Sequence, residues 1–81
     1  MLTEDIYRIA YRRFREKLRQ ARLEAELTQR QVARLLGKPQ SFMSKVESGE
    51  RRLDFVESQA LARIYGKTFE YFQDAGGGAD P

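Results

Sequence analysis

Between positions 40 and 45 the chain places an amide, Gln40, two hydroxyls, Ser41 and Ser44, and an ammonium, Lys45. Such groups reach base edges and phosphate oxygens, so the chemistry they offer is recognition of a polyanion. Ser41, Ser44 and Ser48 are not candidate nucleophiles. The chain has no His, and no general base stands near them in sequence. The absence of Cys removes a disulfide framework, a thiolate metal site and a cysteine nucleophile. No Gly-rich phosphate loop is present, since Gly76, Gly77 and Gly78 fall in a tail. The expectation is a protein that is not an enzyme and needs no cofactor or metal.

These residues must be carried by helices. Thr28 with Gln31 three residues later forms a capping box, and Val32, Ala33 and Leu36 then point inward until Gly37 ends the helix. Pro39 is placed like a first-turn residue of the next helix, over residues 40–47, with Met43 and Val46 inward at i, i+3. Two short helices thus meet across Leu36, Gly37, Lys38 and Pro39. Ala33 allows a close crossing, Gly37 makes the turn, and Val32, Leu36, Met43 and Val46 hold the angle from inside. Phe42 is the one apolar residue on the outer side. It has two open readings: contact with a thymine methyl or a sugar, or packing against Pro39 and Leu36.

The flanking segments are helical as well. Thr3, Glu4 and Asp5 open a long first helix to about Glu26, with Tyr7, Tyr11, Phe14, Leu18, Ala21 and Ala25 as its apolar stripe. Ile6 and Ile9 form a second apolar strip. Asp54 and Glu57 cap a further helix to Tyr65, with Val56, Leu61, Ala62 and Tyr65 as core. Residues 68–72 suit a short aromatic fifth helix. No strand signal appears. The expected fold is all-α, a compact bundle of about five helices over residues 1–73, followed by a flexible tail over 74–81.

With 81 residues the chain allows one domain. Its net charge of +3 is unevenly spread. Residues 28–53 hold six basic and two acidic side chains, whereas residues 54–81 hold two basic and five acidic. A polyanion would therefore meet the middle of the chain. No apolar run of about 18 residues exists to span a membrane. The opening residues lack the basic-then-apolar layout of a signal peptide, so a cytoplasmic protein is expected.

Residues 18–65 resemble the helix-turn-helix family of lambda-type Cro and repressor proteins and xenobiotic-response-element regulators. The resemblance is carried by Leu18-Arg19-Gln20-Ala21-Arg22, by Leu27-Thr28-Gln29 ahead of Val32-Ala33, and by the run from Gln40 to Asp54 that contains Ser44-Lys45-Val46-Glu47-Ser48-Gly49. It implies a lambda-repressor-like DNA-binding domain with its helix-turn-helix over about residues 29–48. By position, it implies base-edge contacts from Gln40, Ser41 and Lys45. Glutamine suits adenine and lysine suits guanine. Phosphate contacts are implied for Gln29, Ser44, Ser48, Arg51 and Arg52. Arg22 and Glu47 match a buried ion pair joining the first helix to the third. Three features depart from the family pattern. Lys38 stands in the turn where a small apolar residue is usual, Ser58-Gln59 replaces a more apolar stretch, and the first helix is long.

The expected function is sequence-specific binding of double-stranded DNA by a bacterial or phage-type repressor, as a homodimer on a palindromic operator. The dimer surface should come from the domain itself. Phe69, Tyr71 and Phe72 are the first candidates and Ile6 and Ile9 the second, unless those aromatics close the monomer core instead. The alternative is a protein-interaction module, an antitoxin or adaptor with a protein partner and secondary DNA binding.

Overall fold

The computed structural model describes residues 2–73, with side chains from Ile6 onward. The expected tail at 74–81 lies outside the described residues, as do the side chains of the proposed cap at Thr3, Glu4 and Asp5. The chain folds into α1 (Leu2–Glu24), α2 (Gln29–Leu36), α3 (Phe42–Ser48), α4 (Phe55–Tyr65) and a closing 3₁₀ turn (Phe69–Phe72). The fifth helix is thus a single 3₁₀ turn. Among the described residues no helix is long and apolar enough to cross a membrane.

The caps set most of the boundaries. Thr28 Oγ1 accepts from the Gln31 N–H at 3.0 Å, while the Thr28 N–H donates to Gln31 Oε1 at 2.8 Å. Asp54 and Glu57 repeat this reciprocal pair at 2.7 and 3.0 Å. Each box satisfies N–H groups that a helix start otherwise leaves unpaired. Gly37 and Gly49 end α2 and α3 with φ of 68° and 91°, in the left-handed region. The α1 helix stops at Glu24, two residues earlier than its apolar spacing predicts, and Glu26 takes φ 59° in the turn.

Four helices and the 3₁₀ turn enclose one core. Leu18 and Ala21 of α1, Val32 and Ala33 of α2, Phe42, Met43 and Val46 of α3, Leu61, Ala62 and Tyr65 of α4, and Phe72 are all buried. The stripe on α1 enters this core only from Phe14 onward, with Tyr11 half-buried beside the Phe14 ring. Tyr7 remains 55% exposed. Phe14 meets Phe72 edge-on with centroids 6.1 Å apart, an arrangement that aligns ring edge with ring face.

Helix α4 keeps its expected bounds and buries Leu61, Ala62 and Tyr65 as expected, and only Val56 departs. Val56 is 69% exposed instead of buried. Ser58 is half-buried in the turn that precedes Leu61 and Ala62, and its hydroxyl donates to the Asp54 carbonyl at 2.9 Å. That bond satisfies the polar group which had obscured the inward face of this helix. Phe55 is exposed and meets Phe69 edge-on, with ring centroids 5.6 Å apart.

Candidate nucleic-acid interface

The α2–turn–α3 unit has a dry side and a wet side. Val32, Ala33, Met43 and Val46 are buried and Leu36 is half-buried, so the crossing is held from inside as expected. Gln40, Ser41, Ser44, Lys45 and Ser48 are all exposed. The helix begins at Phe42, so Gln40 and Ser41 belong to the turn that leads into it, and the Phe42 N–H donates to the Pro39 carbonyl at 2.9 Å. Pro39 therefore shapes that turn and does not occupy the first turn of α3. Gln29, Arg30, Gln40, Ser41 and Ser44 line one open groove of about 440 Å³.

Beneath this face lies a charged knot. Arg22 Nε and Nη2 donate to the two oxygens of Glu47 at 2.7 and 3.1 Å, and Arg22 Nη1 donates to the Leu27 carbonyl at 2.9 Å. Gln29 Nε2 donates to the same carboxylate at 3.0 Å. The pair joins α1 to α3 with both side chains below 10% exposure. The Glu47 hydrogen bond pushes the Arg22 pKa upward against the opposing effect of burial. Arg15 adds a bond from Nη1 to the Glu47 backbone carbonyl at 3.1 Å, near the end of α3. One amide hydrogen of Gln29 is thereby turned inward, and its backbone stands at the open N-terminus of α2.

Phe42 resolves to packing. It is only 5% exposed and has no surface to offer a thymine methyl or a sugar. It stands four residues before Val46, which places both on one face of α3. Lys38 and Arg51 lie over its ring at 5.4 and 4.7 Å. Lys38 thus fills the turn by covering an aromatic with its cation, in place of the small apolar residue usual there.

The two arginines implied as phosphate ligands are held within the fold. Arg51 forms a fork on Glu57, Nη1 to Oε1 at 2.9 Å and Nη2 to Oε2 at 3.0 Å. Lys38 joins the same carboxylate at 3.2 Å. The Arg51 hydrogen bonds hold the Glu57 carboxyl well down, from 4.5 to about 2. The Arg51 side chain nevertheless stays 40% exposed beside this pairing. Arg52 lies over Tyr11 and Tyr7 at 4.4 and 5.0 Å and donates from Nη1 to the Tyr7 hydroxyl at 2.7 Å, but it stays exposed. Ser48 bonds locally, its hydroxyl donating to the Lys45 carbonyl at 3.1 Å.

Two residues were not singled out by sequence reasoning. Glu57 was visible only as half of a capping box, yet it gathers Lys38 and Arg51. Arg30 follows Gln29 on α2 and reaches Gln40. With the Gln40 amide oxygen turned toward its donors, Arg30 Nη2 and Nε lie 2.7 and 3.2 Å from it. In the sequence, Arg30 is marked only by its place in the basic middle segment.

A buried four-residue crossing beneath an exposed amide, hydroxyl and ammonium face defines a helix-turn-helix protein. Residues 18–72 match the helix-turn-helix family model, and the chain belongs to that family. It is similar in structure to an XRE-family like protein from Pseudomonas syringae pv. tomato str. DC3000, at 35% identity and a TM-score of 0.86, with 99% of this chain and 98% of that one covered. No curated protein matches the chain. The fold and the family together make it a DNA-binding regulator of the XRE type.

Proposed function

We propose that the chain, with residues 1–73 as one domain, binds a palindromic DNA operator as a homodimer and represses transcription by occupying it, in the bacterial cytoplasm. The observation that supports this reading is the outward run of Gln40, Ser41, Ser44 and Lys45 on an exposed polar face of the helix-turn-helix. Gln40, Ser41 and Lys45 touch base edges. Gln29, Ser44, Ser48 and Arg52 hold phosphates. Arg51 acts indirectly by fixing the loop through Glu57.

One recognition helix reads few base pairs, so specificity calls for a second copy at a half-site about one helical turn away. The first dimer candidates are largely used up by the core: Phe72 is 7% exposed and Tyr71 half-buried, which leaves Phe69. The better-supported surface is an apolar groove of about 600 Å³ lined by Leu35, Leu36, Val56 and Ile64, among others. Its end at Val56 adjoins Glu57, which ties the turn and the segment after α3 together. Residues 74–81 carry no large apolar side chain that could cover the groove. Ile6 and Ile9 are also exposed, on the first turns of α1.

Selection from a randomised duplex pool, followed by anisotropy titration at several salt concentrations, tests the proposal. A palindromic consensus that a Gln40→Ala/Lys45→Ala variant no longer prefers, while keeping its fold, supports it. A pool that enriches nothing even at low salt overturns it in favour of the protein-interaction module.

A further inference from the structure

We infer that Arg30 fixes the amide of Gln40 as a donor-only reader, so that the base pair beneath Gln40 is read as guanine in preference to adenine. The inference rests on the DNA-reading function proposed above and concerns which base one of its side chains selects.

Glutamine carries an oxygen that accepts and an NH₂ that donates. Adenine offers N7 as an acceptor and its N6 amino group as a donor, so a free glutamine satisfies both at once. Gln40 is not free in this way. With the amide turned so that its oxygen faces Arg30, the orientation these donors require, Nη2 and Nε lie 2.7 and 3.2 Å from that oxygen. A guanidinium has donors and no acceptor, so it can meet only the oxygen end of the amide. Two N–H groups on one carbonyl oxygen also occupy both of its lone pairs. The NH₂ must then face away from Arg30. Arg30 and Gln40 line the open groove beside Gln29, Ser41 and Ser44, and a second one beside Arg34 and Lys38. What Gln40 presents to a base edge is two N–H donors and no acceptor. Guanine, with N7 and O6 both accepting, matches that pattern. Adenine leaves its N6 amino group without a partner. Arg30 is on this account a positioning residue, acting through Gln40.

The test repeats the duplex selection with the full chain, Gln40→Ala, Arg30→Ala and Arg30→Lys. Gln40→Ala marks the base pair read by Gln40, as the position whose preference disappears. Competition between duplexes that differ only there then measures guanine against adenine. The parent should favour guanine about tenfold, in the range of one well-placed bidentate contact. Arg30→Ala should reverse the order toward adenine. Arg30→Lys should weaken the guanine preference while preserving the salt dependence, because one ammonium keeps the charge and loses the fork. Arg30 and Gln40 are both exposed, so the variants should keep the parent's circular dichroism and melting.

Adenine favoured by the parent overturns the inference. So does a guanine preference that survives Arg30→Ala. A third overturning result is Arg30→Ala weakening all sequences alike with a shallower salt slope, which is the signature of a phosphate contact. A pool that enriches nothing for the parent overturns the DNA-reading function itself, and is thereby distinct from these results.

Discussion

Glu47 shows how much one side chain can organise. It accepts from Arg22 and Gln29, and its own backbone carbonyl accepts from Arg15. Removing one partner of a buried pair strands the other charge. Arg22→Met should therefore cost about 3–5 kcal/mol, measured by urea unfolding, whereas Arg22→Met/Glu47→Leu should recover most of the loss. Glu57 gives a pH signature. Its carboxyl is held down to about 2, mainly by the hydrogen bonds from Arg51. A depressed carboxyl adds stability that is fully present above its ordinary 4.5 and fades as pH falls through about 2. Glu57→Gln should lower stability at neutral pH and flatten its decline across that acid window. An unchanged acid limb in the variant would remove Glu57 from this role. Of these residues, Arg22 and Glu47 were legible through the family resemblance. The Glu57 network was not, because a capping box says nothing about which cations the same carboxylate will gather.

Among the helices, the terminators carry the sharpest expectations. Gly49 has φ 91°, and a Cβ there would sit 3.1 Å from Arg15 Cζ. Gly37 has φ 68° with nothing within 4 Å of an added Cβ. Both glycine-to-alanine changes introduce backbone strain, of order 1 kcal/mol or more. Gly49→Ala must also move the guanidinium that holds the Glu47 carbonyl. Thermal unfolding should rank Gly49→Ala below Gly37→Ala, with Gly37→Asn close to the parent. The cap residues Thr28, Asp54 and Gly37 were readable because capping acts within four residues of chain. The face of α3 was harder to read. Seven residues make only two turns, too few for periodicity to separate Phe42, which packs, from Ser41, which does not.

Across the full domain, the acidic end was expected to supply the dimer face through its aromatics. Packing has instead drawn Phe72 inward and left the groove at Leu35, Val56 and Ile64 open. A charge in an apolar interface is costly to bury. Val56→Glu should therefore shift the chain toward monomer in sedimentation. It should also lower affinity for a full palindrome far more than for an isolated half-site. Since Val56 is 69% exposed, the variant's melting temperature as a monomer should hardly move. Equal affinity loss on both DNAs would place the groove outside the dimer contact.

Local chemistry in the chain was enough to set the all-helical class, both capping boxes, the glycine stops and the basic middle segment. Each of these signals works over a few residues or through bulk charge, so it survives without knowledge of the packing. The turning of Val56 outward, the burial of Phe42, the fork from Arg51 to Glu57 and the placing of Arg30 beside Gln40 required the folded arrangement. They depend on how helices approach one another, and on which of several nearby partners a long charged side chain can reach. A linear pattern leaves those choices open, and close packing around a small core removes all but one.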